Sequence, residues 1–115
     1  MQDITIWHNP RCSKSRDALS YLEEKKLDIK IIKYLDAKIT KEDIKEILLM
    51  LGVGARTLMR TKEDIYKELN LENENDEEKL IQAMVDNPKL IERPVIIKDG
   101  SAVIARPLEK IDELF

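Results

Sequence analysis

One stretch, His8-Asn9-Pro10-Arg11-Cys12-Ser13-Lys14-Ser15-Arg16, concentrates the residue types from which chemistry could be built. Cys12 is the only cysteine of the chain. It follows a short apolar run, Ile4-Thr5-Ile6-Trp7, and precedes an amphipathic run that starts near Ser15. A strand ending in a proline-bearing loop that then enters a helix sets the thiol beside the free N–H groups of the first helical turn. Those groups and the helix dipole favour an anion, and so favour thiolate over thiol. Arg11, Lys14 and Arg16 add positive charge nearby. A lone cysteine is ordinarily a small buried hydrophobe. A core position, however, is not normally ringed by basic and ionisable side chains, and the pattern points to a reactive thiol.

Two loop residues have open roles. His8 either lowers the thiol pKa, as a cation or a dipole, or is a loop histidine bonded to backbone. Ser15, one turn along from Cys12, either donates a hydrogen bond to the thiolate or caps the helix. Lys14 adds field without contacting anything. One histidine and one cysteine cannot assemble a zinc cage, so no metal and no bound cofactor are expected. With no second thiol in the chain, a modified Cys12 has to be cleared by a thiol from outside.

Composition bounds the setting. A chain of 115 residues is long enough for one real core and too short for two. Charged residues make up 37% with a net charge of −3, so there is no overall basic bias towards nucleic acid or a membrane surface. A single cysteine allows no internal disulfide and fits a reducing compartment. Asp3 precedes an apolar run of only four residues, unlike a signal peptide, and no run approaches the ~18 apolar residues of a membrane span. A soluble, cytoplasmic protein is the expectation.

The elements that must position the loop read as follows. Residues 4–7 form a first strand, and a helix from about 13 to 26 carries Ala18, Leu19 and Leu22 on one face. Residues 29–34 form a second strand rich in β-branched and aromatic positions. Strand, helix, strand with short joins predicts a parallel pair. A helical block then spans about 40–91. Thr40 with Asp43 makes a capping box ahead of Ile44, Ile47, Leu48 and Leu51, closed by Gly52 and Gly54. Thr61 with Asp64 repeats the cap before Ile65, Tyr66 and Leu69. A polar turn over 72–76 leads to a helix marked by Leu80, Ile81, Met84 and Val85, stopped at Asn87-Pro88 with one further turn through Leu90. Pro94-Val95-Ile96-Ile97 and Ala102-Val103-Ile104 form a hairpin about Asp99-Gly100. Arg106-Pro107 opens a last helix with Leu108, Ile111, Leu114 and Phe115 inward. The fold class is α/β, a mixed four-stranded sheet in the order β-α-β, helical block, β-β-α, within a single domain.

That order and four separated motifs resemble the glutaredoxin-dependent arsenate reductase (ArsC) family, which has a thioredoxin-like fold with an inserted helical block. His8-Asn9-Pro10-Arg11-Cys12 is similar to its active-site loop, and Ser15-Arg16 match the residues that follow. Leu58-Met59-Arg60, Glu92-Arg93-Pro94-Val95 and Ala105-Arg106-Pro107 resemble the segments carrying its three oxyanion-binding arginines. The similarity covers essentially the whole chain. It departs at Ser13 and Lys14, where better-studied members carry Gly and Thr; Cys12-Ser13-Lys14-Ser15 is closer to an arsenate-reductase-like branch.

The resemblance implies a reaction and its parts. Cys12 attacks arsenate, glutathione exchanges onto the adduct, and glutaredoxin assists reduction and release of arsenite. Arg60, Arg93 and Arg106 bind the oxyanion, since a planar guanidinium can hold a tetrahedral oxyanion through two hydrogen bonds. A solvated surface position is the competing reading of each, and for Arg60 a structural carboxylate pair. Arg11 and Arg56 are read as surface. Pro94 is cis by the same resemblance, and the other prolines are ordinary helix punctuation. Two rivals belong to other classes. The related Spx regulators bind RNA polymerase, but those that sense oxidation usually carry CxxC, whereas Ser15 holds the second position here. A glutathione-linked thiol enzyme with another substrate is the second.

Overall fold

The computed structural model describes residues 4–36 and 38–115. They divide into two compact units, one from the chain up to Lys38 together with Arg93–Phe115, the other Ile39–Glu92.

The first unit is built on a mixed sheet. β1 (Ile4–Trp7) pairs in parallel with β2 (Ile29–Ile32), and antiparallel with β3 (Val95–Lys98), which pairs antiparallel with β4 (Ser101–Ile104). The order is β2-β1-β3-β4, which leaves β2 and β4 as edges. α1 (Ser13–Glu24) connects β1 to β2. Because strand side chains alternate, Ile4 and Ile6 share one face of the sheet. There they pack with Ala18 and Leu22 of α1, Ile96 of β3, Ala105 and Ile111. Trp7 stacks with Tyr34 at 6.2 Å between ring centroids. The hairpin turn has Asp99 at φ 51° and Gly100 at φ 80°, the paired left-handed conformation that a two-residue hairpin requires and glycine tolerates.

The chain end departs from the expected helix. Leu108–Leu114 is wound as a 3₁₀ segment, with Pro107 ahead of it and not in its first turn. Ile111 is buried, but Phe115 faces outward. Its ring is a platform for cations, with the ammonium groups of Lys25 and Lys98 at 4.9 and 5.5 Å from its centroid.

The second unit is mainly helical. α2 (Lys41–Leu51) starts at Thr40 with both bonds of the capping box: Asp43 N–H to Thr40 Oγ1 at 3.1 Å and Thr40 N–H to the Asp43 carboxylate at 3.0 Å. It buries Ile44, Ile47 and Leu48 and ends on Gly52 at φ 72°. A helical turn that periodicity did not separate, α3 (Ala55–Leu58), begins directly after Gly54. Its first N–H, on Ala55, is capped by the Glu77 carboxylate at 2.9 Å. α4 (Asp64–Glu68) does not use the expected Thr61 cap; Glu63 occupies the capping position, and its carboxylate is taken by Arg60. α5 (Glu77–Asp86) starts at Asp76 and buries Leu80, Ile81, Ala83 and Met84. Leu58 O accepts from Glu92 N–H and Leu90 O from Arg60 N–H, each at 2.7 Å, which ties the segment after α3 to the end of this unit through an isolated bridge at Met59 and Ile91.

Arg56 is not the surface residue expected. Its guanidinium donates to the carbonyls of Leu71 and Glu74, crosslinking α3 to the turn before α5. Arg11 is exposed, as expected.

Candidate active site

The loop after β1 is tied down before the thiol is reached. His8 N–H donates to Ile32 O at 2.8 Å, anchoring the loop to the end of β2. Asn9 then forms a turn in which its side chain accepts from Arg11 N–H and its carbonyl from Cys12 N–H, both at 3.0 Å. Arg16 closes the turn from outside, donating to Pro10 O at 3.2 Å. Cys12 stands at the N-cap of α1 in an extended conformation, φ −97° and ψ 122°, and its carbonyl accepts the first helical bond from Arg16 N–H at 3.0 Å.

Ser15 and His8 hold this loop from beneath, and both are buried. Ser15 Oγ lies 2.8 Å from His8 Nδ1 and accepts from Asn9 N–H at 3.0 Å. Neither expectation for Ser15 describes this use. The capping position belongs to Cys12, and the Ser15 hydroxyl is turned to the loop. Burial, reinforced by the charges of Lys33 and Arg16, holds the His8 imidazole below its ordinary value, so it is neutral near pH 7. His8 is therefore not a cation beside the thiol. Its partner is a side-chain hydroxyl and not the backbone anticipated for a loop histidine.

The thiol is tuned by four opposing influences. Burial of the sulfur pushes its pKa up. The Ser15 N–H, then Arg93 by hydrogen bonding and by charge, then the Lys14 N–H, pull it down, and the net displacement is below the ordinary cysteine value. Cys12 itself is half-buried and free. The Lys14 side chain is exposed.

Sheet register explains why Arg93 arrives here. β1 and β3 pair as far as Trp7 with Val95, where the chain enters the thiol loop, and Arg93 lies two residues before Val95. β3 and β4 pair Val95 with Ile104, and the same two steps set Arg93 opposite Arg106. The pair is joined: Arg106 Nε donates to Arg93 O at 2.8 Å. Both Arg93–Pro94 and Arg106–Pro107 peptide bonds are cis, the second against the expectation for Pro107. Nε and one terminal nitrogen of Arg93 are buried without a hydrogen-bond partner. A buried guanidinium with unused donors beside a thiolate is built to receive an acceptor-rich anion.

Arg60 belongs to the helical unit. There its guanidinium pairs with Glu63, and with Glu92 at 3.6 Å. The influence of Lys33 on His8 was not legible in local spacing, because it comes across the parallel β1–β2 pair just beyond Trp7 and Ile32, whereas Arg16 lies in the same loop. Among the described residues no three His, Cys, Asp or Glu side chains cluster as metal ligands would, and no helix is long and apolar enough to cross a membrane.

Comparison with known proteins gives a consistent set of relatives. The model of the ArsC family matches residues 7–114. An arsenate reductase of Neisseria meningitidis serogroup A is 48% identical over 114 residues, 97% of this chain and 97% of its own. That of Escherichia coli strain K12 is 32% identical over 115 residues, 99% of this chain and 82% of its own. Among solved structures, an arsenate reductase from Vibrio cholerae superposes with a TM-score of 0.95 at 40% identity, covering 99% of this chain and 98% of that one.

Proposed function

The chain belongs to the ArsC family, and from that premise we propose that it is an arsenate reductase with Cys12 as nucleophile. The observation that carries the reading is the Arg93 guanidinium, which favours the Cys12 thiolate while two of its buried nitrogens have no partner. A thiolate and an anion-binding group at one point is what attack on an oxyanion needs. Arg106, fixed to the Arg93 backbone, supplies a second guanidinium at the same end of the sheet. His8 and Ser15 act as positioning residues that hold the loop. Arg60 is the third candidate oxyanion ligand, and its own charge is already met by Glu63 and Glu92.

The Cys12 sulfur bonds to arsenic(V), and one arsenate oxygen leaves as water after protonation. A glutathione thiol then bonds to the same arsenic and displaces a second oxygen as water. A glutaredoxin thiolate attacks the glutathione sulfur, forming a disulfide; the electron pair of the broken sulfur–arsenic bond stays on arsenic, now arsenic(III). Water hydrolyses the remaining Cys12–arsenic bond and arsenite leaves. Having a single cysteine supports an external thiol source, and such a source fits a reducing, cytoplasmic setting.

The test is arsenate-dependent NADPH consumption coupled through glutathione, glutathione reductase and glutaredoxin. Turnover absent from Cys12→Ser supports the reading. Turnover that appears only when thioredoxin replaces glutathione and glutaredoxin would retain the reductase and discard the proposed electron source. No turnover with either system, while Cys12 alkylates abnormally fast, would discard arsenate as substrate.

A further inference from the structure

The helical unit leaves an apolar surface uncovered. A groove of about 530 Å³ runs between α2 and α5, lined by Leu48 and Leu49 of α2, Val53 beyond it and Ile81 of α5, with Lys45 and Glu77 at its sides. Leu48 and Ile81 are its buried floor, whereas Leu49 is 82% exposed. A single exposed leucine is ordinary on a protein surface. Leu49 differs because it continues a buried apolar cluster that the groove leaves open to solvent. The groove stays open because the chain after α2 carries no side chain at Gly52 or Gly54. A Cβ on Gly52 would meet nothing within 4 Å, and one on Gly54 would meet only the Glu77 carboxylate, at 3.7 Å.

The charge around this groove is mainly negative. Glu46 and Glu42 precede Leu49 on α2 by about one and two helical turns, so they share its face. Glu77 and Glu78 open α5 on the other side, and all four glutamates are exposed. Lys45 is the cation among the lining residues, and its ammonium is held by Glu78 at 2.9 Å and acted on by the charge of Glu42. Ile39–Glu92 as a whole carries more acidic than basic residues, the reverse of the rest of the chain. A second copy of the chain docked face to face would set these carboxylates against one another, since an isologous pair matches a patch with itself. An anionic membrane surface is repelled for the same reason.

We propose that the α2–α5 groove docks an amphipathic helix of another protein, one with an apolar stripe and basic flanks. From Lys45 to Gly52 the groove follows about two turns of α2, ~10 Å. That length matches the i, i+3, i+4, i+7 stripe by which a helix enters an apolar groove. The stripe lies on Leu48, Leu49 and Ile81, and the flanking lysines or arginines meet Glu42, Glu46 and Glu77. Every residue involved belongs to the helical unit, and none takes part in the thiol chemistry, so this surface stands whether or not arsenate is the substrate.

The probe is a fluorescein-labelled peptide of about 14 leucines and lysines, long enough to form a helix when docked, with its leucines in one stripe. A second peptide has the same composition with the leucines scattered around the helix. Fluorescence anisotropy with the full chain at ~0.15 M salt, where distant charges are screened, measures both. The striped peptide is expected to bind one to one, and the scattered peptide about tenfold more weakly. Leu49→Gln removes the apolar contact at an exposed position and should weaken striped binding about tenfold. Glu42→Lys/Glu46→Lys reverses the rim charge, also at exposed positions, and should weaken it about fivefold. Amide resonances that shift on binding should cluster at residues 42–54 and 77–81. Equal binding of the two peptides would reduce the effect to bulk charge and overturn the proposal. So would wild-type affinity in Leu49→Gln, or shifts centred elsewhere. A dimer seen by sedimentation equilibrium and dissociated by Leu49→Gln would give the groove to a second copy, and would overturn it as well.

Discussion

Arg106 Nε donates to the main-chain oxygen of Arg93 at 2.8 Å, so a residue two past the end of β4 holds the backbone of the residue whose guanidinium acts on the thiol. The relationship ranks the two arginines. Arg93 acts on Cys12 itself, and Arg106 acts in part by fixing Arg93.

Removing the Arg93 guanidinium should raise the Cys12 pKa, because hydrogen bonding and charge from Arg93 both favour the thiolate. Thiolate absorbance against pH measures this. Arg93→Ala should move the titration upward, and arsenate should no longer protect Cys12 from alkylation. Arg93→Lys should keep part of the pKa effect, since the charge is retained, and lose most of the protection, since the fork is not. An Arg93→Ala thiol that titrates like wild type would remove Arg93 from the site.

The buried imidazole predicts a pH dependence of stability. His8 has its folded pKa held below the ordinary 6.5. Below that ordinary value the unfolded chain binds a proton that the folded chain refuses, so acid favours unfolding. The contribution is complete above about pH 6.5 and is lost as pH falls towards the lower folded pKa. Melting temperatures at about pH 7.5 and 5.5 should converge in His8→Gln relative to wild type. Parallel acid losses in the two proteins would assign the effect to other groups.

Arg60 can be separated from the oxyanion role by stability. Arg60→Ala leaves Glu63 and Glu92, both half-buried, without their cation. A loss of ~1 kcal/mol in denaturant unfolding is expected. Protection of Cys12 by arsenate decides the rest: protection equal to wild type would confine Arg60 to its carboxylates, and loss of protection would retain it as a ligand.

A residue outside the site should prove more costly. Arg56→Ala strips a donor from the carbonyls of Leu71 and Glu74, and unpairing part-buried acceptors costs ~1–3 kcal/mol. Urea unfolding should show that loss, with the Cys12 thiol titration unchanged.

Much of this was readable from local chemistry. Asp99-Gly100 requires two successive positive φ values, which a two-residue hairpin satisfies, and that turn sets the β3–β4 register. In the structure that register sets Arg93 and Arg106 opposite one another, a convergence that the sequence carried only through the family resemblance. Thr40 and Asp43 cap within one turn, so that helix start was legible as well. Where a cap came from a distant residue the signal failed: Glu77 serves Ala55, and nothing near Gly54 announces it. Thr61-Asp64 offered a local cap that the fold did not use: the helix begins at Asp64 with Glu63 in the capping position.

Local residue types and spacings were enough for the thiol loop, the strand order, the first helices and the hairpin, because each depends on backbone preferences over a few residues, but not for α3 or the 3₁₀ winding of the chain end. Only the tertiary structure decided that Arg93 acts on Cys12, that two of its nitrogens are left unpaired, that His8 is neutral against Ser15, and that Arg56 is a crosslink. Those outcomes depend on burial and on partners far apart along the chain, and both are properties of packing that no local pattern of residue types encodes.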